Sequence, residues 1–93
     1  MIKSFSSKET EKIWHGYVST KLPGDIQATA RRKLRMLNNA RNLNDVKVPP
    51  ANRLEALKGN RKGRYSIRIN KQWRICFEWR QGHCYKVEII DYH

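Results

Sequence analysis

The sequence predicts a small α+β domain: two N-terminal helices packed on a mostly antiparallel sheet. Three observations carry that prediction. The N-terminal half holds two stretches whose apolar residues recur at helical spacing, and the C-terminal half holds three runs of period-two alternation. Between and within them sit turn and capping signals that break the chain where such a fold needs breaks. The 93 residues suffice for one domain with one modest core, residues 1–93 as a single unit.

Residues 2–6, "IKSFS", read as a short first strand. Ser6 followed by Glu9 fits the S-x-x-E capping box, in which side chains satisfy the orphan amides of a helix start. A first helix is then expected over residues 8–19, burying Ile13, Trp14, Tyr17 and Val18. Pro23-Gly24 ends it, and Asp25 is the expected N-cap of a second helix running to about residue 43. There Ile26, Ala30, Leu34 and Leu37 form the buried stripe, while Arg31, Arg32 and Arg35 point elsewhere.

The runs "YSIRIN", "WRICFEW" and "YKVEII" are the expected strands, the last less regular than the others. A three-residue loop at Asn70-Lys71-Gln72 sets Ile69 opposite Trp73, Ile67 opposite Ile75 and Arg68 opposite Arg74. A one-residue slip would put Arg74 beside Ile69, so the pattern selects the register. A second hairpin turning near Gln81-Gly82 brings Glu88 or Ile90 beside Arg74. One sheet face is thus apolar for the helices, and the other is polar and carries two arginines. The stretch "NDVKVPPANRLEALKGNRKGR" lacks periodicity; loops of that length are usually functional or hide a short element, and "RLEAL" is the candidate.

Charge narrows the function. Twenty Lys and Arg against 8 Asp and Glu give a net charge of +12, which favours a polyanionic partner. From Lys58 to Arg74 the chain has Lys58, Arg61, Lys62, Arg64, Arg68, Lys71 and Arg74 and no acid. With Arg31, Arg32 and Arg35 these are the expected contacts to RNA. No run approaches the roughly 18 apolar residues of a membrane span. The start has no apolar signal-peptide core, and two cysteines are too few for a secreted disulfide scaffold. The expectation is a cytoplasmic protein with reduced thiols and no membrane association.

Several chemistries find no support. There is no Gly-rich phosphate loop and no G-x-S-x-G elbow. His15, His83, His93, Cys76 and Cys84 lack zinc-ligand spacing, and the scattered acids form no metal-binding cluster. Cys76 and Cys84 read as ordinary small residues on sheet and turn. Metal-free RNA cleavage asks for less, because the ribose 2′-OH is an internal nucleophile. It needs cations for the phosphorane charge, groups for two proton transfers and an aromatic ring for an unpaired base. Glu55, Lys58, Arg74, Asp91, Tyr92 and His93 supply those types, and they suit plain nucleic-acid binding as well.

The segments "MIKSF", "PPANRLEALKGNRKGRYSIRIN", "QWRICFEW" and "VEIIDYH" together resemble the HigB-type toxins of the RelE-like superfamily, the plasmid-maintenance killer proteins. The resemblance implies a β-α-α-β-β-β fold and a ribosome-dependent, metal-independent endoribonuclease without cofactor that cuts mRNA in the A site. It implies as partners the ribosome with its rRNA and mRNA, and a HigA-type helix-turn-helix antitoxin through which operator DNA is reached. By position, Lys58 and Arg74 correspond to that family's phosphate-facing cations, and Asp91, Tyr92 and His93 to its C-terminal active-site residues. Some HigB proteins carry histidine where this chain has Glu55, a weaker base at its reference pKa of ~4.3. The residues leave open whether His93 takes over proton transfer. They also leave a non-catalytic basic RNA- or DNA-binding module as the alternative.

Overall fold

A computed structural model describes residues 1–58 and 63–92. Its elements are α1 (Lys8–Trp14), α2 (Gly24–Asn39), α3 (Leu43–Lys47), a 3-10 turn (Pro50–Asn52), and strands β1 (Glu55–Ala56), β2 (Arg64–Arg68), β3 (Trp73–Arg80) and β4 (His83–Asp91). The four strands form one antiparallel sheet in chain order. Residues 2–5 lie parallel to β4 through bridges Ile2–Cys84 and Phe5–Val87, and so cover the edge that β4 would otherwise expose. The α+β class holds, with a third helix and a short edge strand added.

The first helix is shorter than its sequence suggests. Ser7, not Ser6, is the N-cap, its hydroxyl accepting from the Thr10 amide at 3.3 Å. The helix stops at Trp14 because Gly16 adopts φ +89°, a left-handed turn that glycine makes without strain. Ile13 is buried as expected, but Tyr17 and Val18 lie past the end and are 67% and 75% exposed. The following segment is tied instead by Gln27, whose side-chain amide donates to the Ser19 carbonyl at 2.8 Å and accepts from the Ser19 amide at 3.1 Å.

Helix α2 starts behind Pro23, with Asp25 in its first turn, where a carboxylate complements the helix dipole, rather than at the cap. Ile26, Ala30, Leu34 and Leu37 are buried against the sheet. The helix ends at Asn39, not near residue 43, because Asn42 begins α3 with a reciprocal capping box to Asp45. The long aperiodic stretch therefore contains α3, the 3-10 turn and β1, and "RLEAL" does pair with β2 through Glu55–Ser66 and Ala56–Tyr65.

The β2–β3 register is the one the apolar pattern selects: Ile67 opposite Ile75 and Arg68 opposite Arg74. Asn70 shapes the turn by accepting from the Gln72 and Trp73 amides, each at 2.8 Å. The β3–β4 turn has positive φ at both Gln81 (50°) and Gly82 (80°), the pattern of a type I′ hairpin. Ile90, not Glu88, stands opposite Arg74. The register shifts between Cys76 and Glu78, where β4 fits an extra residue and Lys86 adopts φ 54°. That bulge switches the alternation, so Cys84, Val87 and Ile89 all reach the core, and "YKVEII" looks irregular for this reason. The helices and the apolar sheet face enclose one core, of which Phe77, Ile75, Ile67, Val87, Leu34, Leu37 and Ile13 are fully buried members.

Candidate functional site

On the polar sheet face the structure gathers side chains from β1, β2 and the residue that follows β4 around Arg74. Alternation along β3 turns Arg74 away from the core, as expected. It is not solvated, however: only 6% of it is exposed. The reason is the segment after the 3-10 turn, which folds across the end of β2 and β3. Arg53 there has φ 45° and ψ 56°, which turns its carbonyl onto Arg74. The guanidinium donates from Nε to Ser66 Oγ at 2.8 Å, and from Nη2 to the Arg53 carbonyl at 2.7 Å and the Ser66 carbonyl at 3.3 Å. Nη1 stands 3.7 Å from Glu55 Oε1, an ion pair too long for a hydrogen bond. The Tyr92 ring lies 5.4 Å from the guanidinium carbon, within cation–π range.

These groups line a cleft of about 360 Å³ that also holds Arg53, Arg68, Asn70 and Lys71. A neighbouring hollow continues it past Glu55 and Tyr92 to Lys58. Arg68 and Arg74 are directly opposed across the strands, an arrangement that is repulsive unless an anion joins it. Among the described residues of these two hollows, Glu55 is the single acid facing Arg53, Lys58, Arg68, Lys71 and Arg74. Such a concentration of one sign in a concave place attracts an anion such as phosphate.

The other expected residues divide. Asp91 pairs with Trp73, one pleat from Arg74, so the alternation sets it toward the opposite face; its carboxylate accepts from Gln72 Nε2 at 3.0 Å. It braces the β2–β3 turn beside the cleft. Arg31 is partly committed to structure, its Nε donating to the Ile13 carbonyl at the end of α1 at 3.1 Å. Arg32 and Arg35 lie exposed on α2. Arg64 lines a smaller hollow with Leu57, Cys76, Glu88 and Ile90. Arg61, Lys62 and His93 lie outside the described residues. Cys84 sits on β4, not in the turn, and burial pushes its thiol pKa up to about 12.

The structure adds Ser66, Arg53 and Lys33. Ser66 was within reach of the sequence, since alternation puts it on the same face as Arg68. Lys33 sits among the buried positions of α2 with its ammonium donating to the Arg68 carbonyl; burial first, then the charges of Arg32, Arg68 and Arg74, lower its pKa. Among the described residues no helix is long and apolar enough to cross a membrane, and no cluster of three His, Cys, Asp or Glu side chains could hold a metal ion.

A small basic α+β domain with an anion-attracting cleft at the strand ends is the class that fold and site define. The fold is shared with YafQ of E. coli strain BL21(DE3) (TM-score 0.66, 11% identity, covering 98% of this chain and 91% of that one). It is shared also with YoeB of Staphylococcus aureus, solved as a dimer (TM-score 0.61, 22% identity, 99% and 94% covered). In sequence, a family described as RelE-like toxin of type II toxin-antitoxin system HigB matches residues 3–93. Toxin HigB-1 of Vibrio cholerae is 40% identical over 83 residues, 88% of this chain and 87% of that protein. Endoribonuclease HigB of Proteus vulgaris is 29% identical over 93 residues, the full length of both. The chain belongs to the HigB-like family of RelE-like toxins of type II toxin–antitoxin systems. Membership implies an antitoxin partner.

Proposed function

We propose that this toxin is a ribosome-dependent endoribonuclease that cleaves mRNA in the A site, without a metal, by attack of the ribose 2′-OH on the adjacent phosphate. The observation that carries the reading is Arg74, clamped by Ser66 and the Arg53 carbonyl with Nη1, Glu55 and Tyr92 turned to one cleft. The name of the Proteus relative, an endoribonuclease, supports it. Arg74 balances the phosphorane charge, and a guanidinium held in place beforehand needs no reorganisation to do so. Glu55 receives the 2′ proton, Tyr92 stacks an unpaired base, and Lys58 and His93 serve the leaving 5′-oxygen. Asp91 holds the turn through Gln72. The ribosome supplies the mRNA in a bent, single-stranded form that a shallow cleft could not impose alone. The site of action is then the cytoplasm, with a helix-turn-helix antitoxin of the HigA type in control and operator DNA reached through it.

Purified protein with programmed ribosomes tests this. Cleavage inside the A-site codon should leave 2′,3′-cyclic phosphate ends, and a 2′-deoxy nucleotide at the scissile position should abolish it. Glu55→Gln should lower single-turnover cleavage by about 10²-fold or more. Binding without cleavage would leave a basic RNA-binding module, and cleavage of the deoxy substrate at the normal rate would refute 2′-OH attack.

A further inference from the structure

Next to the Arg74 cleft lies a second bay of about 490 Å³, between α2 and the β2–β3 turn. Thr29, Arg32, Lys33, Arg53, Arg68 and Asn70 line it, and Arg53, Arg68 and Asn70 are common to both hollows, so the two adjoin. Four of these six residues are cationic and none is acidic. Lys33, only 4% exposed, forms the floor, with its ammonium on the Arg68 carbonyl. The charges of Arg32, Arg68 and Arg74 repel it.

Arg53 is the informative residue. Its backbone is left-handed, a conformation that side chains other than glycine rarely adopt, and such strain concentrates at functional sites. The backbone's own task, presenting a carbonyl to Arg74, would be done by glycine with less strain. The strain is therefore borne for the side chain. That side chain is exposed at the junction of the two hollows, with no hydrogen-bond or ion-pair partner among the described residues.

We propose that the bay is a second phosphate subsite, in which Arg53, Arg32 and Arg68 hold the RNA backbone phosphate next to the one presented to Arg74. The inference rests on the nuclease reading for its substrate class and adds to it how the strand is held. Lys33 fixes the distance between α2 and the turn, so that the cations from three elements converge on one anion.

The test is a binding cycle with a short single-stranded RNA made uncleavable by one 2′-deoxy nucleotide at the position to be cut. Its partners are two versions in which the phosphate on the 5′ or the 3′ side of that linkage is an uncharged methylphosphonate. Arg53→Gly and Arg53→Asn, both compatible with the left-handed backbone, are compared with the parent protein. The all-phosphate RNA should bind each variant about tenfold more weakly, with the log–log salt slope reduced by about 0.7. For one of the methylphosphonate RNAs the variants and the parent should agree within about twofold, since the contact is already gone. Melting temperatures should equal or exceed the parent's. Equal losses on all three RNAs, no loss at all, no binding of the RNA by the parent at low salt, or lowered melting in both variants would each overturn the subsite. Failure of the parent to cut mRNA on ribosomes would refute the nuclease and leave this cycle standing.

Discussion

Removing the Arg74 side chain should damage stability and chemistry by separable amounts. Arg74→Ala abandons Ser66 Oγ and the Arg53 carbonyl, which hold the guanidinium at 2.8 and 2.7 Å in a place only 6% exposed. An abandoned buried polar group costs about 1–3 kcal/mol, and water entering from the adjacent cleft keeps each loss near the lower end. Relief of the Arg68–Arg74 opposition returns at most about 1 kcal/mol. The net expectation is a loss of about 1–2 kcal/mol, a fall of roughly 4–16 °C in Tm for a domain of this size. Cleavage on ribosomes, measured well below the lowered midpoint, should fall by about 10²–10³-fold. Arg74→Lys keeps the charge without the planar fork and should recover only part of either quantity. Ser66→Ala is the control: it removes the Nε acceptor and leaves the charge, so about 1 kcal/mol is lost with cleavage within roughly tenfold of the parent. An Arg74→Ala protein melting within about 2 °C of the parent would refute the buried clamp. Cleavage within about twofold would refute its role at the phosphate.

Reversing Arg32 and Arg35 to Glu, while keeping Arg31 on the Ile13 carbonyl, should flatten the log–log salt dependence of ribosome binding by somewhat less than one unit per lost phosphate contact. An unchanged slope would place the ribosome-facing surface elsewhere. Gln81→Asn supplies the residue preferred at a left-handed type I′ position and should raise stability by ~0.5 kcal/mol in denaturant titrations; no change would contradict φ 50° there. Cys84 makes stability fall with alkali. Its folded pKa of about 12 lies above the ordinary thiol value, so the folded chain keeps a proton that the unfolded chain releases. The contribution is intact below ~8.5 and is lost as pH rises toward about 12. Cys84→Ala should show a shallower alkaline decline between those limits, and an identical decline would mean the thiol is not buried.

The parts of this protein that were legible are those set by periodicity. Apolar spacing gave the α2 stripe and the β2–β3 register, where a slip would have turned every side chain to the wrong face. It misled near residues 17 and 18, because a helical pattern cannot show that Gly16 has already turned the chain. It lost regularity in β4, where the bulge at Lys86 changes the alternation. Arg74 was placed on the correct face with the wrong surroundings. What covers it is the Arg53 carbonyl, and no side-chain pattern reports where a backbone oxygen points. Lys33 escaped notice for a related reason: a lysine on a buried stripe reads as an exception until its carbonyl acceptor is seen.

The parallel seating of residues 2–5 on β4 also sets the order in which the fold is completed. Ser4 and Lys86 are 82 positions apart yet joined by a hydrogen bond, and Thr10 reaches Ile89 across 79. Contacts so distant along the chain form late, since a long loop must close before they give anything back. β4 is also the strand that leads into Tyr92, and it leaves the ribosome after every other strand of the sheet. A growing chain can therefore fold its helices and the β2–β3 hairpin while the cleft still lacks one wall. The wall that Tyr92 supplies is the last part of the cleft to be put in place.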